Sequence, residues 1–223
     1  MKFPKEFIEA VKQLPTERKD KLLLRLLKHD LPLCNKLNHE FFNTDSVDEQ
    51  QQVIRDLIDR FWHADRYNFH PTPGYLMFEI REISGHINEH LRLNKNKFGE
   101  VSLNLYMLNT VLHYTNTLLE DYTPGECRKL SIYIITRTVK ILVLMQKLHE
   151  DYQSDLEDDF KTLGSHIENN THLKRVAKQH ALDTLWLIEF EIPEDMASYQ
   201  KVLKAQGYLS GKVYLRTPDF IWK

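Results

Sequence analysis

The sequence predicts an all-α protein. Residues 128–149 form one long segment without Gly, Pro, Asn or Asp, and the segment is too long for an ordinary strand despite its β-branched residues. The chain of 223 residues contains only seven glycines, whereas Leu, Lys and Glu are plentiful. We therefore expect about ten helices, arranged as an irregular bundle or a short array around the central segment.

The segment 128–149 is predicted to be a buried central helix. On a helical wheel its apolar side chains cover well over half of the circumference, which is more than one neighbouring helix can bury. Thr123 and Pro124 precede it as an N-cap and a first helical residue. The narrow polar strip consists of Lys129, Thr136, Arg137, Lys140 and Lys147. We interpret this strip as a solvated face, with an anion-binding ridge as the alternative.

Four shorter helices are predicted before the central region, at residues 4–14, 16–29, 32–42 and 46–66. Pro15 separates the first from the second. The second is expected to bury a face formed by Leu22, Leu23, Leu26 and Leu27. Ser46 and Glu49 form a capping box that starts the fourth.

The later helices are predicted at residues 75–93, 98–120, 154–167, 171 to near Pro193, and 194–206. Ser154 and Thr171 are the expected N-caps of two of them. Gly207 lies where a helix C-terminus favours a left-handed residue. The tail, residues 208–223, is aromatic and is expected to be non-helical, as a small hairpin or an extended segment.

Residues 67–74 interrupt the helical pattern with two prolines and a glycine. The chain is predicted to be a single domain, residues 1–223, with a possible soft boundary at this interruption. Aromatic side chains are frequent around it, and aromatic anchors are common in protein interfaces. The candidate partner-binding residues are Trp62, Tyr67, Phe69, His70 and Tyr75. The alternative is a loop that its own rings hold against the core.

The overall composition indicates a cytoplasmic protein. The formal net charge is −2 with 28% charged residues, which argues against a dedicated nucleic-acid binder. Cys34 and Cys127 are far apart and form no C-x-x-C pair, so neither a disulfide framework nor a cysteine zinc site is expected. The sequence shows no secretory signal and no apolar run of about 18 residues, so we expect no membrane partner.

One metal-binding pattern occurs in the chain, the H-x-x-E-H sequence from His86 to His90. Two histidines one helical turn apart can bind zinc, and the intervening Glu89 is the candidate catalytic base. Glu79 and Glu82 lie on or near the same face and are further candidate ligands. The alternative is a polar stripe that faces solvent. Zinc or Mg²⁺ is expected only if this metal-site hypothesis holds. Apart from it, we expect no cofactor.

A second polar stripe runs along the predicted helix 98–120, at Asn109, His113, Asn116 and Glu120. If this stripe faced the one at residues 79–90, the two would line a polar pocket. If it faced water, it would carry no function. We favour the interpretation that the stripe faces water.

Part of the chain resembles an uncharacterised all-helical family of bacterial cytoplasmic proteins. The resemblance rests on three runs: KDKLLLRLLKHDLPLCNKLNHEFF at 19–42, YLMFEIREISGHINEHLRL at 75–93 and KLHEDYQSDLEDDF at 147–160. Some proteins of this kind carry a deoxyuridine triphosphate nucleotidohydrolase label. Helical nucleotide pyrophosphatases hold Mg²⁺ with E-x-x-E and a later E-x-x-D. Glu79 and Glu82 match the first part, but no E-x-x-D follows them.

The function predicted from the sequence is a non-enzymatic protein-interaction or scaffold module. The chain contains many apolar segments that indicate a buried core. It contains no Walker loop, no G-x-G-x-x-G loop and no G-x-S-x-G elbow. The alternative is a metal-dependent hydrolase that uses the stripe at residues 79–90. A third hypothesis is RNA binding through the basic strip Arg18, Lys21 and Arg25, which predicts steep salt dependence.

Overall fold

The computed structural model describes residues 4–42, 46–63 and 71–210. Within these residues the chain forms twelve α-helices and no β-strand. The all-α prediction is therefore confirmed for the described residues. Backbone contacts divide the chain into two compact units, Met1–Asp45 and Ser46–Lys223. Most of the predicted tail, and residues 67–70 of the predicted soft boundary, lie outside the described residues, so both stay predictions.

The first unit contains α1 (Lys5–Lys12), α2 (Thr16–His29) and α3 (Leu31–Phe42). Pro4 and Pro15 take extended backbone conformations directly before α1 and α2, so neither helix begins with a side-chain cap. Asp30 Oδ1 accepts the Leu33 N–H at 3.0 Å and satisfies one free donor at the start of α3. Helix α2 packs against α3.

The predicted buried face of α2 is wrong. No residue of α1 or α2 is buried, and Leu23 and Leu26 keep 50% and 54% of their side-chain surface exposed. The helical period was predicted correctly from the leucine spacing. The burial was not, because periodicity shows which side chains share a face but not what covers them.

The second unit contains nine helices among its described residues. They are α4 (Val47–His63), α5 (Pro73–Asn94), α6 (Lys97–Glu120), α7 (Pro124–Met145), α8 (Glu150–Ser154), α9 (Glu157–Glu168), α10 (Thr171–Gln179), α11 (Leu185–Ile188) and α12 (Met196–Ala205). The capping box at the start of α4 is confirmed, since Ser46 Oγ accepts the Glu49 N–H and the Glu49 carboxylate accepts the Ser46 N–H.

Helix α7 corresponds to the central helix predicted at 128–149, but it begins at Pro124 and ends at Met145. It packs against α5, α6, α10 and α12. Its buried residues are Cys127, Leu130, Ser131, Ile132, Ile134, Ile135, Thr138, Val139, Ile141, Leu142 and Met145. The helix begins at a capping box in which Thr123 and Glu126 satisfy each other's backbone N–H groups. Its neighbour α6 is buried to a similar extent, so the core forms between these two long helices.

The polar strip of α7 is partly used inside the protein. Lys140 Nζ lies 2.9 Å from Glu100 Oε1, and the Glu100 side chain is almost fully buried. The Arg137 guanidinium lies 6.0 Å from the centre of the Tyr133 ring. Lys140 and Arg137 are both half-buried, so the strip is solvated only in part at these two positions.

Two of the later helix boundaries differ from the prediction. Ser154 ends α8 instead of capping the next helix, and its hydroxyl donates to the Glu150 carbonyl oxygen. The predicted helix from 171 to near Pro193 ends at Gln179, because Ala181 takes a left-handed conformation with φ of 56°. Asn170, not Thr171, supplies the cap of α10. Gly207 has φ of +84° after α12, as predicted.

Helices that could cross a lipid bilayer were sought in the described residues, and none has both the length and the apolar character required.

Candidate functional site

The H-x-x-E-H stripe lies on α5, but its two histidines have different environments. His86 is exposed, whereas His90 keeps only 5% of its surface accessible. His90 Nδ1 lies 3.0 Å from the Asn94 side-chain amide, one turn further along the helix. The i, i+4 spacing places both rings on one side of α5. On that side the His86 ring faces solvent, whereas the His90 ring is buried in the core.

The acidic members of this stripe do not join the histidines. Glu89 is held by Arg92, whose Nε and Nη2 donate to the two carboxylate oxygens at 2.9 and 2.6 Å. Glu82 is exposed and Glu79 is half-buried. In the part of the chain that the structure describes, no three His, Cys, Asp or Glu side chains are grouped as metal ligands would be.

The second polar stripe, on α6, lies partly against α9 and the start of α10 and partly in solvent. Asn109 donates to the Asp159 carbonyl at 2.9 Å, and Asn116 donates to the His166 carbonyl at 2.8 Å. Glu120 accepts the N–H and the hydroxyl of Thr171. The stripe therefore attaches α9 and the start of α10 to α6. The preference for solvent holds for His113 and Glu120, which are exposed, whereas Asn109 and Asn116 are half-buried and bond α9.

Most of the candidate partner-binding side chains lie outside the described residues. Tyr67, Phe69 and His70 lie outside the described residues, as does the side chain of Trp62, whose backbone belongs to α4. Tyr75 is half-buried and stacks on Phe61 with 6.5 Å between ring centres. Phe78, one turn along α5, is 59% exposed. The described part of this region thus offers one exposed aromatic ring.

The first unit exposes a large apolar set, which we call the N-terminal apolar residues. They are Phe7, Ile8, Leu23, Leu24, Leu26, Leu31, Leu33 and Phe41, all at least 40% exposed. No side chain that the structure describes in residues 4–42 is buried. Cys34 is a free thiol, so no disulfide compensates for the missing core among these residues.

A cavity of about 240 Å³ opens beside the first turn of α7, and we call it the basic cavity. It is lined by Pro124, Gly125, Arg128, Arg175, Val176, Gln179 and His180. The residues come from the N-terminus of α7 and from the C-terminal half of α10, which pack together. Sequence analysis missed this site because its two walls are about fifty residues apart in the chain.

His180 forms the buried wall of the basic cavity and is only 3% exposed. Its Nδ1 accepts the Leu209 N–H at 2.9 Å, so the ring hydrogen resides on Nε2. Burial, reinforced by the charge of Arg128, lowers the pKa of His180. The imidazole is therefore neutral and presents an N–H donor.

Cys127 lies in the same first turn of α7 but is not a reactive thiol. Burial raises the pKa of the Cys127 thiol, and the sulfur contacts the Leu119 carbonyl oxygen at 3.5 Å. A buried, protonated thiol of this kind serves packing.

Acidification is expected to destabilise the fold through two histidines. Burial lowers the pKa of His180, and burial together with His113 lowers the pKa of His166, both from 6.5. A group whose pKa is lower in the folded state stabilises the protein above its unfolded pKa, and that contribution is lost as the pH falls. The free energy of unfolding should therefore decrease between about pH 7.5 and about pH 5.5.

This pH dependence can be measured by urea denaturation of the wild type and of His166→Gln with His180→Asn. The double variant should show a flatter pH profile over the same interval. An equally steep profile would assign the effect to other groups.

Comparison of the chain with protein-family models, with curated proteins and with solved structures found no match. The resemblance to an all-helical bacterial family therefore stays a prediction.

Proposed function

We propose that this protein is a cytoplasmic protein-interaction module, built as an irregular helical bundle, and that the N-terminal apolar residues bind its partner. One observation carries the proposal: a three-helix unit with many leucines buries none of its described side chains. Large exposed apolar surfaces on soluble proteins mark interaction sites. The balanced net charge of −2 and the absence of a complete catalytic motif are consistent with this function.

The energetics favour a partner for this surface. Complete burial of an exposed Leu or Phe side chain contributes about 1.5–3 kcal/mol. Eight such side chains are at least 40% exposed in the first unit. A partner that covered even half of them would therefore bury apolar surface that contributes several kcal/mol to binding.

The proposal predicts that α2 is essential for partner binding. Leu23 and Leu26 are one turn apart and about half exposed, so Leu23→Ser with Leu26→Ser should leave the second unit folded while removing much of the apolar contact. Arg25→Gln is the matched control, since Arg25 is an exposed residue of the same helix. The measurement is affinity capture of the full chain, with the mass of the captured complex determined by light scattering.

We expect the wild type and Arg25→Gln to be recovered in a complex larger than one chain of 26.6 kDa, and the double serine variant to be monomeric. A second copy of the chain or a different protein would both satisfy the proposal. A monomeric wild type, or a complex that tolerates both serines, would refute it.

The second candidate remains a metal-dependent hydrolase, supported by His86 and His90 on one helix. Because His86 is exposed, His86→Ala should leave the fold intact and remove a bound metal. Elemental analysis of natively purified protein decides this candidate. About one zinc per chain that is lost in the variant would support it, and metal-free wild type would end the zinc hypothesis.

A further inference from the structure

We propose that the basic cavity binds a phosphate group. None of the N-terminal apolar residues lines this cavity, so the proposal does not depend on the proposed function. The cavity combines a helix N-terminus, two arginines and a buried neutral histidine donor around one opening.

The N-terminus of α7 supplies the first set of donors. The first N–H groups of a helix have no intrahelical acceptor, and the helix dipole favours an anion there. The Glu126 N–H is satisfied by Thr123 Oγ1, and the Cys127 N–H by the Thr123 carbonyl. Pro124 has no N–H, so the Gly125 N–H is the group at the cavity wall that remains for a ligand.

His180 supplies an independent indication of a ligand. Its side chain is more than nine-tenths buried, and its Nδ1 is engaged by Leu209. Among the described residues no acceptor bonds the Nε2–H, although the ring lines the cavity. The Nε2 atom itself is not fully enclosed, so this donor reaches the cavity, where an oxyanion could accept its hydrogen in place of solvent.

Charge selects the chemistry of the ligand. Arg128 and Arg175 line the cavity, and Arg175 forms no ion pair within the described residues. The carboxylate in the first turn of α7, Glu126, is engaged by the N–H and hydroxyl of Thr123. A phosphate carries up to two negative charges and several acceptor oxygens, which matches the Arg175 guanidinium and N–H donors from different directions.

The volume limits the size of the ligand. At about 240 Å³ the cavity is smaller than the roughly 300–1,000 Å³ typical of drug-sized ligands. Inorganic phosphate or a small phosphomonoester fits this range, and the phosphate group is the feature they share. Val176 is the apolar part of the wall beside which the organic part of a phosphomonoester would lie.

The chain contains its own control for a non-specific helix-terminus effect. The sequence Thr-Pro-Gly also begins α5, at Thr72, Pro73 and Gly74, with the same type of side-chain cap. Gly74 does not line the basic cavity and has no arginines of that cavity beside it. A ligand that binds specifically in the cavity must therefore change the environment of the Gly125 amide and leave that of the Gly74 amide unchanged.

The test is a titration of the full-length ¹⁵N-labelled protein with inorganic phosphate and, separately, with glycerol 3-phosphate at constant ionic strength. We expect the Gly125 amide signal to shift with saturation while the Gly74 signal stays in place. Tighter binding of glycerol 3-phosphate would identify a small phosphomonoester as the ligand, and equal binding would show that the phosphate group alone is recognised.

Three variants complete the test. Arg175→Gln should weaken binding about tenfold, as expected for the loss of one charge-assisted contact. His180→Asn can keep an acceptor for the Leu209 N–H but removes the Nε2 donor, and it should weaken binding several-fold. Lys178→Gln removes a charge from an exposed position of the same helix and should change affinity less than twofold. An unsaturable Gly125 shift, an equal Gly74 shift, or equal losses for Arg175→Gln and Lys178→Gln would overturn the proposal.

Discussion

Replacement of Leu142 by Ala is expected to lower the free energy of unfolding by about 2–5 kcal/mol. Leu142 is fully buried on α7, which contacts four other helices of its unit. The substitution removes buried methyl groups and leaves a cavity that long, packed helices can close only in part. This loss is a large fraction of the stability of an ordinary domain.

Leu144→Ala is the matched control for this prediction. Leu144 belongs to the same helix but is only partly buried, so its truncation should cost clearly less. Urea denaturation of both variants provides the comparison. If Leu142→Ala were no more destabilising than Leu144→Ala, α7 would not be the core helix described above.

Gly164→Ala is expected to destabilise the protein by about 1–3 kcal/mol, although alanine is the better helix former. A Cβ atom at Gly164 would lie 2.8 Å from Leu187 Cβ and 2.8 Å from Ile188 Cγ1. It would also lie 3.1 Å from the Ile188 backbone nitrogen, which cannot move away as a flexible side chain could. The added methyl must therefore force α9 and α11 apart.

Gly85→Ala provides a control of opposite sign. Gly85 lies in the middle of α5 with no atom within 4 Å of the added Cβ, so only helix propensity changes. We expect a stabilisation of about 0.5–1 kcal/mol from that change. The midpoints of thermal and urea denaturation should therefore shift in opposite directions for the two variants. A stabilising Gly164→Ala would contradict the close packing of α9 on α11.

The long helices were predictable because their sequence signals are local and agree with one another. Thr123, Pro124 and Glu126 mark the start of α7, and the wide apolar arc after them marks its burial. The break after α10 was not predictable in the same way. Ala181 adopts its left-handed conformation without a Gly or Pro to indicate it, because tertiary contacts such as that between His180 and Leu209 determine the turn.

The candidate sites differ in how far the sequence could define them. The spacing of His86 and His90 correctly places them one turn apart, but spacing does not show that one is buried and the other exposed. The leucines of α2 were correctly assigned to a helix and wrongly assigned to a core. The basic cavity depends on contacts between α7 and α10, and only a three-dimensional structure brings Gly125 and Arg175 together.

Site-specific photo-crosslinking in living cells tests the proposed function most directly. A photo-crosslinking residue at Leu24, which is 60% exposed on α2, should form a covalent product with one partner protein or with a second copy of this chain. The same residue at Gly85, an exposed position on α5, should not form that product. Mass spectrometry of the product identifies the partner. If Leu24 formed no product, or only those formed from Gly85, the N-terminal apolar residues would not be a protein-binding surface.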